Sequence, residues 1–320
     1  MRTMQLARLN VSAIGMGCMG FSHGYGEPTE HDEAIRLMRY AHERGCTFFD
    51  TAASYAAGRN ESLVGEALAP IRDEIVLATK THIPEDDERP VYDVLKECLT
   101  ASLKRLRTDH VDLYYQHRVN RGIPVEDVAE AMGRLIDEGL TLGWGQSQPT
   151  EGEVRRAHAV TPMTAMQCEF SMMERSFEKS VIPACRELGI GVVAFSPMAS
   201  GFLSGKYATD AVYTGDDVRR VITRFAPENM AANQPVLDLL GEYAAAKGAT
   251  PAQIDLAWIL AKGIVPIPGM RRISRIDENL GAAAVSLTDD EYRRIEEALS
   301  QLTIHGDRTD EDIAKLKTMR

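Results

Sequence analysis

Long hydrophobic runs are missing from this 320-residue sequence. Nowhere do about 18 apolar residues follow one another, so no membrane-spanning helix is expected. Positive charge is also short: 36 Lys and Arg stand against 47 Asp and Glu, a formal net charge of −11. That balance argues against binding a nucleic acid backbone or an anionic membrane. Cysteine is sparse. Cys18, Cys46, Cys98, Cys168 and Cys185 are odd in number and widely spaced, with no Cys-x-x-Cys, which excludes a disulfide framework and suits a reducing cytoplasm. No His, Cys and carboxylate cluster has zinc spacing, so no metal is expected. The opening MRTMQLARLN lacks the continuous apolar segment of a signal peptide. No Pro/Gly/Ser-rich linker divides the chain. Residues 1–320 are therefore expected to form one domain, with a polar tail from about 301 to 320 that folds over the top or stays partly disordered.

What is present alternates. SAIGMGC (12–18), CTFFD (46–50), EIVLATK (74–80), HVDLYYQH (110–117), LTLGWG (140–145), TAMQCEF (164–170), IGVVAFSP (190–197) and IVPIPG (264–269) read as strands. Most are followed by an amphipathic helix. In YDVLKECLTASLKRL (92–106), for example, Leu95, Leu99, Leu103 and Leu106 form one stripe. Repeated β–α units imply a parallel sheet. Eight of them in about 270 residues fit a closed (β/α)8 TIM barrel better than two doubly wound halves. MQLARLNVSAI reads as an N-terminal β-hairpin capping the barrel bottom. Residues 200–235, with mixed charge and several glycines, read as a long active-site loop on the C-terminal face.

Gly15, Gly17 and Gly20 satisfy G-x-G-x-x-G after a strand, yet FSHGYGEPTEHDE follows where a Rossmann site needs a helix. Those glycines are read instead as permitting a tight β–α loop near a ligand.

In a barrel of this kind, catalytic groups sit at the C-terminal ends of different strands. Those ends give Asp50, Lys80 and His117, with Tyr55 in the loop after the second strand. Each has an ordinary alternative: a helix cap, a solvated lysine, a hydrogen-bonded histidine, a packed ring. Four such signals in order are hard to ascribe to chance. A free phenol ionises near pH 10 and donates its proton poorly at neutrality. A lysine cation beside a phenol favours the phenolate, an aspartate paired to the lysine limits the cost of burying it, and a histidine positions a carbonyl oxygen or assists proton transfer.

At this point the chain resembles the aldo-keto reductases, over about residues 6–295. FFDTAASYAAGRNESLVGEAL, IVLATK and DHVDLYYQHR are similar to the family's Asp-to-Tyr, lysine and histidine segments. VVAFSPMASGFLSGKY and PIPGMRRISRIDENLGA resemble its two late cofactor segments. The resemblance implies a metal-free, reversible NADPH-dependent reduction of aldehydes or ketones. In it Tyr55 is the general acid/base, Asp50 and Lys80 its supporting pair, and His117 a substrate-facing partner. It also implies that Gln167 bonds the nicotinamide carboxamide and that Phe195 stacks on the nicotinamide ring. Ser196, Met198, Gly201, Leu203 and Gly205 would pass the pyrophosphate. Gly269, Met270, Arg271, Arg272 and Arg275 would hold the adenosine phosphate, and Glu278 and Asn279 would face the adenine. A basic patch in an acidic protein favours NADPH over NADH.

Two departures from the family pattern bear on the site. GWGQ places Gly145 where relatives carry a carboxamide-holding serine, leaving Gln146 or Ser147 as substitutes, and HRVN ends in Asn120 where the closest subgroup commonly has Asp. Pocket walls are expected from residues 20–26, 54–56, 82–90, 118–122 and 203–230. Phe21, His23, Tyr25 and Trp144 are the candidate substrate-binding residues, and they favour aromatic or medium-sized apolar aldehydes over open-chain sugars. Two other readings compete: a non-catalytic nucleotide-sensing or partner-binding member of the fold, similar to potassium-channel β subunits, and a different barrel chemistry such as a hydrolase or isomerase. The first calls for a degenerate tetrad, the second for a metal cluster or another carboxylate pair. The sequence shows none of these and leaves the oligomeric state open.

Overall fold

Eight short strands register in parallel around a closed ring in the computed structural model, which describes residues 1–315. They are β3 (Met16–Gly17), β4 (Phe48–Asp50), β5 (Val76–Thr81), β6 (Leu113–Gln116), β7 (Trp144–Ser147), β8 (Ala165–Glu169), β9 (Gly191–Phe195) and β10 (Val265–Pro266). They lie in sequence order, and a parallel bridge from Gly17 to Gly269 joins the last to the first. Two hydrogen bonds, Gly15 N to Pro266 O and Gly17 N to Pro268 O, close the same seam. The fold is the expected TIM barrel.

The G-x-G-x-x-G run belongs to this seam. A Cβ on Gly15 would meet the Phe48 ring at 2.7 Å, and one on Gly17 would meet Ile267 O at 2.7 Å. Barrel closure is what demands the first two glycines. The hairpin also stands as expected: β1 (Thr3–Leu6) pairs antiparallel with β2 (Leu9–Ser12). Its Leu6, Leu9 and Val11 seal the barrel interior with Phe48, Ala78, Leu113, Tyr115, Ala165, Val193, Val265 and Ile267.

Around the barrel run α1 (His31–Glu43), α2 (Arg59–Leu68), α3 (Val91–Leu106), α4 (Val125–Asp137), α5 (Glu151–Val160), α6 (Val181–Glu187), α7 (Pro227–Ala232), α8 (Gln234–Lys247), α9 (Pro251–Ala261), α10 (Ile273–Gly281), α11 (Asp289–Gln301) and α12 (Asp310–Lys315). Capping boxes start three of them, from Thr150 with Glu153, Thr250 with Gln253 and Thr288 with Glu291. The α3 leucine stripe is buried as its spacing predicts. Residues 200–235 fold into short 3-10 turns and α7. The tail docks on that insert: Asn233 and His305 exchange two hydrogen bonds, and Thr223 Oγ1 bonds Asp307. Residues 316–320 of the expected polar tail lie outside the described residues. Among the described residues no helix is long and apolar enough to cross a membrane.

Strand alternation sets the site. Phe48, Ala78, Leu113, Ala165 and Val193 fill the barrel, while Phe49, Leu77, Tyr114, Met166 and Val192 face the helices. Two residues on from the inward set come Asp50, Lys80, Tyr115, Gln167 and Phe195, at the C-terminal rim.

Candidate active site

Lys80 is the hub of the rim. Its ammonium, 1% exposed, donates to Asp50 Oδ1 and, at 2.7 Å, to Thr51 O. Asp50 Oδ2 accepts from Gln167 Nε2 at 2.9 Å. Burial works against the Lys80 charge, but the Asp50 carboxylate and the Tyr55 phenol outweigh it and leave the lysine pKa raised. A stable cation therefore lies 5.2 Å from the centroid of the Tyr55 ring.

Tyr55 owes its position to a strained turn. Ala56, Ala57 and Gly58 all have positive φ (48°, 54° and 82°), the left-handed region that alanine rarely enters. That turn folds Tyr55 back over the rim before α2 begins. Next come Asn60 and Glu61, both fully buried. Asn60 accepts from Thr51 Oγ1 and donates to Cys18 O and Ser22 Oγ; Glu61 accepts from Thr79 Oγ1 and Arg105. They fix the Tyr55 turn to the neighbouring strands and loop.

His117 follows β6. Its ring meets Tyr55 edge-on at 5.7 Å and is stacked at 4.3 Å on the exposed ring of His82, two residues beyond Lys80. The Ser54 hydroxyl is 3.3 Å from His117 Nδ1. Burial, with Lys80, His82 and Arg118 adding to it, holds the His117 pKa well below its ordinary value, so the ring is neutral. On the other side His23 lies 5.4 Å from Tyr55, its Nε2 buried without a hydrogen bond. The structure thus gathers Asp50, Lys80, Tyr55 and His117 as the sequence predicts, and adds Ser54 and His82.

The substrate candidates divide. His23 is at the mouth. Tyr25 is half-buried under the Arg219 guanidinium, which Tyr207 and Tyr213 also face. Phe21 and Trp144 are corrected. Phe21, 1% exposed, is packed in the helix–strand core. Trp144 begins β7 on its outward face, fully buried, with Nε1 donating to Thr161 O. Its neighbour Gly145 faces in, where a Cβ would collide with Ala165 O at 2.1 Å and the Tyr115 ring at 2.7 Å. The expected loss of a serine is corrected: Gly145 belongs to the packed layer beneath the rim, and Ser147, two residues on and in register with Gln167, puts a serine at the rim itself. Gln146 turns to Gln116, which bonds Asn120, and Ser147 Oγ accepts from Arg118.

The cofactor candidates divide too. After β9 the chain turns through left-handed Ser196, Ala199, Ser200, Gly201 and Gly205. Met198 O accepts from the N–H groups of both Gly201 and Leu203. Leu203 and Met270 are corrected as side-chain contacts, since both are fully buried in the core. Phe195 has the Arg118 and Arg308 guanidiniums 5.7 and 5.3 Å from its ring centroid. Arg308 also donates to Glu169. Arg271 is corrected as a phosphate ligand: it clamps the first loop, donating to Tyr25 O, Glu27 O and Thr29 Oγ1. Arg272 is exposed at the start of α10, and Arg275 pairs with Glu278, which also takes Lys206.

Two features fit a dinucleotide here. The Asn279 side chain is fully buried with neither end hydrogen-bonded. Gly269 is exposed at the rim, and an added Cβ there would find only Gly17 O, at 3.9 Å. Among the described residues no His, Cys, Asp and Glu group could hold a metal ion.

A sequence profile of the aldo/keto reductase family matches residues 13–300. The "Probable aldo-keto reductase 1" of Glycine max is 39% identical over 306 residues, 93% of this chain and 88% of that protein. An aldo-keto reductase of Bacillus halodurans, solved in its holo form, superposes with a TM-score of 0.76 at 27% identity, covering 95% of this chain and 97% of its own. A thermostable aldo-keto reductase crystallised with the inhibitor epalrestat gives 0.75 at 27%, covering 93% and 100%. By the profile match and the relative, with the solved structures beside them, the chain belongs to the aldo/keto reductase family of oxidoreductases.

Proposed function

We propose that the protein reduces aldehydes or ketones to alcohols with NADPH, reversibly, with Tyr55 supplying the proton. The observation that carries this is the Lys80 cation, held by Asp50 and Thr51 O and set against the Tyr55 ring. When bound, NADPH supplies the hydride for the carbonyl carbon. Tyr55 protonates the carbonyl oxygen, and Lys80 favours the phenolate left behind. Neutral His117 donates a hydrogen bond to the same oxygen. In the reverse direction Tyr55 takes the alcohol proton.

Phe195 would stack on the nicotinamide, with one guanidinium yielding its place on the ring. Ser147 and Gln167 lie nearest in role to the carboxamide, Ser196, Met198, Gly201 and Gly205 shape the pyrophosphate turn, and Asn279 with Glu278 receives the adenine. Gly269, Arg272, Arg275 and the α10 N-terminus suit the ribose phosphate. The mouth residues His23 and His82 offer flat faces with polar edges. They support aromatic or medium-sized apolar aldehydes over open-chain sugars. The five cysteines, all free in the structure, suit a cytoplasmic setting.

The test is the initial rate of NADPH oxidation across aromatic aldehydes, aliphatic aldehydes, diketones, quinones and sugars. Preference for aromatic aldehydes in kcat/KM is expected. A preference for sugars would overturn the pocket reading. Failure of every carbonyl while NADPH still binds would favour the nucleotide-sensing alternative.

A further inference from the structure

We infer that the Arg118 guanidinium holds the place of the nicotinamide and must leave it when NADPH binds, so that Arg118 sets how tightly the nicotinamide half of the cofactor is held. This rests on the assignment of Phe195, Ser147 and Gln167 to the nicotinamide. Arg118 follows β6, one residue after His117, and is half-buried. Its Nη1 donates to Ser147 Oγ at 3.1 Å, at the end of β7, and to His117 O at 2.7 Å. Its guanidinium carbon stands 5.7 Å from the centroid of the Phe195 ring, at the end of β9. Between them lies the end of β8, where Gln167 is in register with Ser147 and Glu169 with Phe195. The side chain thus reaches from the sixth strand toward the ninth, across the strand ends assigned to the carboxamide and the nicotinamide ring.

Stacked aromatic rings keep their centroids about 4.5–7 Å apart. The Arg118 guanidinium lies within that range of Phe195, so a ring stacked on Phe195 and reaching Ser147 competes with it for space. A hydroxyl can bond two groups at once, but one volume cannot hold both a guanidinium and a nicotinamide. Arg308, the other cation on Phe195, is in a different position. It is anchored to Glu169, which is 4% exposed, and withdrawing it would strip a buried carboxylate of one of its two arginines. Arg308 touches none of the carboxamide residues in the contacts that define its place, whereas Arg118 holds Ser147 as well as the ring. Arg118 is therefore the guanidinium that yields. Its bond to Ser147 and its contact with the Phe195 face are lost in the exchange and oppose binding, each by a modest amount.

The test compares two ligands by titration calorimetry: NADPH, and 2′-phospho-ADP-ribose, which is the same cofactor without its nicotinamide. Arg118→Ala should bind NADPH about tenfold more tightly than the parent, the combined weight of the lost hydrogen bond and cation–ring contact. It should bind 2′-phospho-ADP-ribose as the parent does, which also shows that the variant is folded. Arg118→Gln, neutral but still able to bond Ser147, should fall between the two for NADPH. Arg308→Ala should not reproduce the gain. Weaker or unchanged NADPH binding in Arg118→Ala would overturn the inference, and so would an equal gain for both ligands, because the effect would then lie away from the nicotinamide. The assignment of the nicotinamide itself is checked separately. Adding Phe195→Ala to Arg118→Ala should weaken NADPH and leave 2′-phospho-ADP-ribose alone; if NADPH affinity did not change, the nicotinamide would not lie on Phe195, and the inference would fall with that assignment.

Discussion

Lys80 and Asp50 form a salt bridge with side chains 1% and 3% exposed, at the rim of the barrel and directly under Tyr55. An ion pair so deeply buried is not a gain in stability by itself, but breaking it leaves a lone charge in a place without water. Lys80→Met should therefore cost about 3–5 kcal/mol of stability as well as activity. Lys80→Met combined with Asp50→Asn should recover much of the stability and none of the turnover. Urea unfolding alongside NADPH oxidation checks this. Recovery of turnover in the double variant would show that the lysine serves the fold alone.

His117 gives a pH prediction. Its folded pKa lies well below the ordinary 6.5, chiefly through burial, with Lys80, His82 and Arg118 adding positive charge around it. Below pH 6.5 the unfolded imidazole takes up a proton that the folded one refuses, so stability is lost as pH falls from there toward the folded pKa. The stability gap between the parent and His117→Gln should narrow from pH 7 to pH 5, read by urea unfolding at each pH. A gap that widens on acidification would contradict a neutral His117.

Asp255 makes the opposite case. It is fully buried in α9, and burial raises its pKa well above the carboxylate range against a smaller opposing effect of the Met172 N–H. Above about pH 4 the unfolded carboxyl releases a proton that the folded one keeps, so stability falls as pH rises from there. Asp255→Ala should stabilise the protein at pH 7 by about 1–3 kcal/mol and by less at pH 4. Thermal unfolding at both pH values checks the sign.

Cofactor choice rests on Arg272 and Arg275. Replacing both with Ala should weaken NADPH roughly tenfold while leaving NADH little changed, measured as dissociation constants. Arg271→Ala should loosen residues 25–29, which it ties down, without that selectivity. Equal losses for the two cofactors in the Arg272/Arg275 variant would contradict the phosphate assignment.

Much of this was legible in the sequence, because strand-end chemistry survives without knowledge of packing. Asp50, Lys80 and His117 could be read from alternation and family pattern, and the structure places them together with Tyr55. The failures have a common physical cause. Trp144 and Gly145 are adjacent in one strand, so they face opposite sides of the sheet, and a reading that takes bulk alone puts the large ring in the wrong place. Phe21 ends a 3-10 turn and packs into the core, where strand alternation gives no guide to its direction. Arg271, Arg272 and Arg275 look alike in sequence, and only the path of residues 25–29 shows that the first is already engaged. Asp255 is hidden in the apolar run PAQIDLAWIL, where a single carboxylate looks like a helix surface position. Ser54 and His82 fall inside the wall segments 54–56 and 82–90 expected from the sequence, but their placement against the His117 ring is visible only in the structure.

The central claim is that Tyr55 is the proton donor. Its most direct test is single-turnover reduction of an aromatic aldehyde by NADPH-loaded Tyr55→Phe, with folding and NADPH affinity verified beforehand. The account predicts a chemical step slowed by about 10²–10⁴-fold with cofactor binding intact. A chemical step at the parent rate would contradict it.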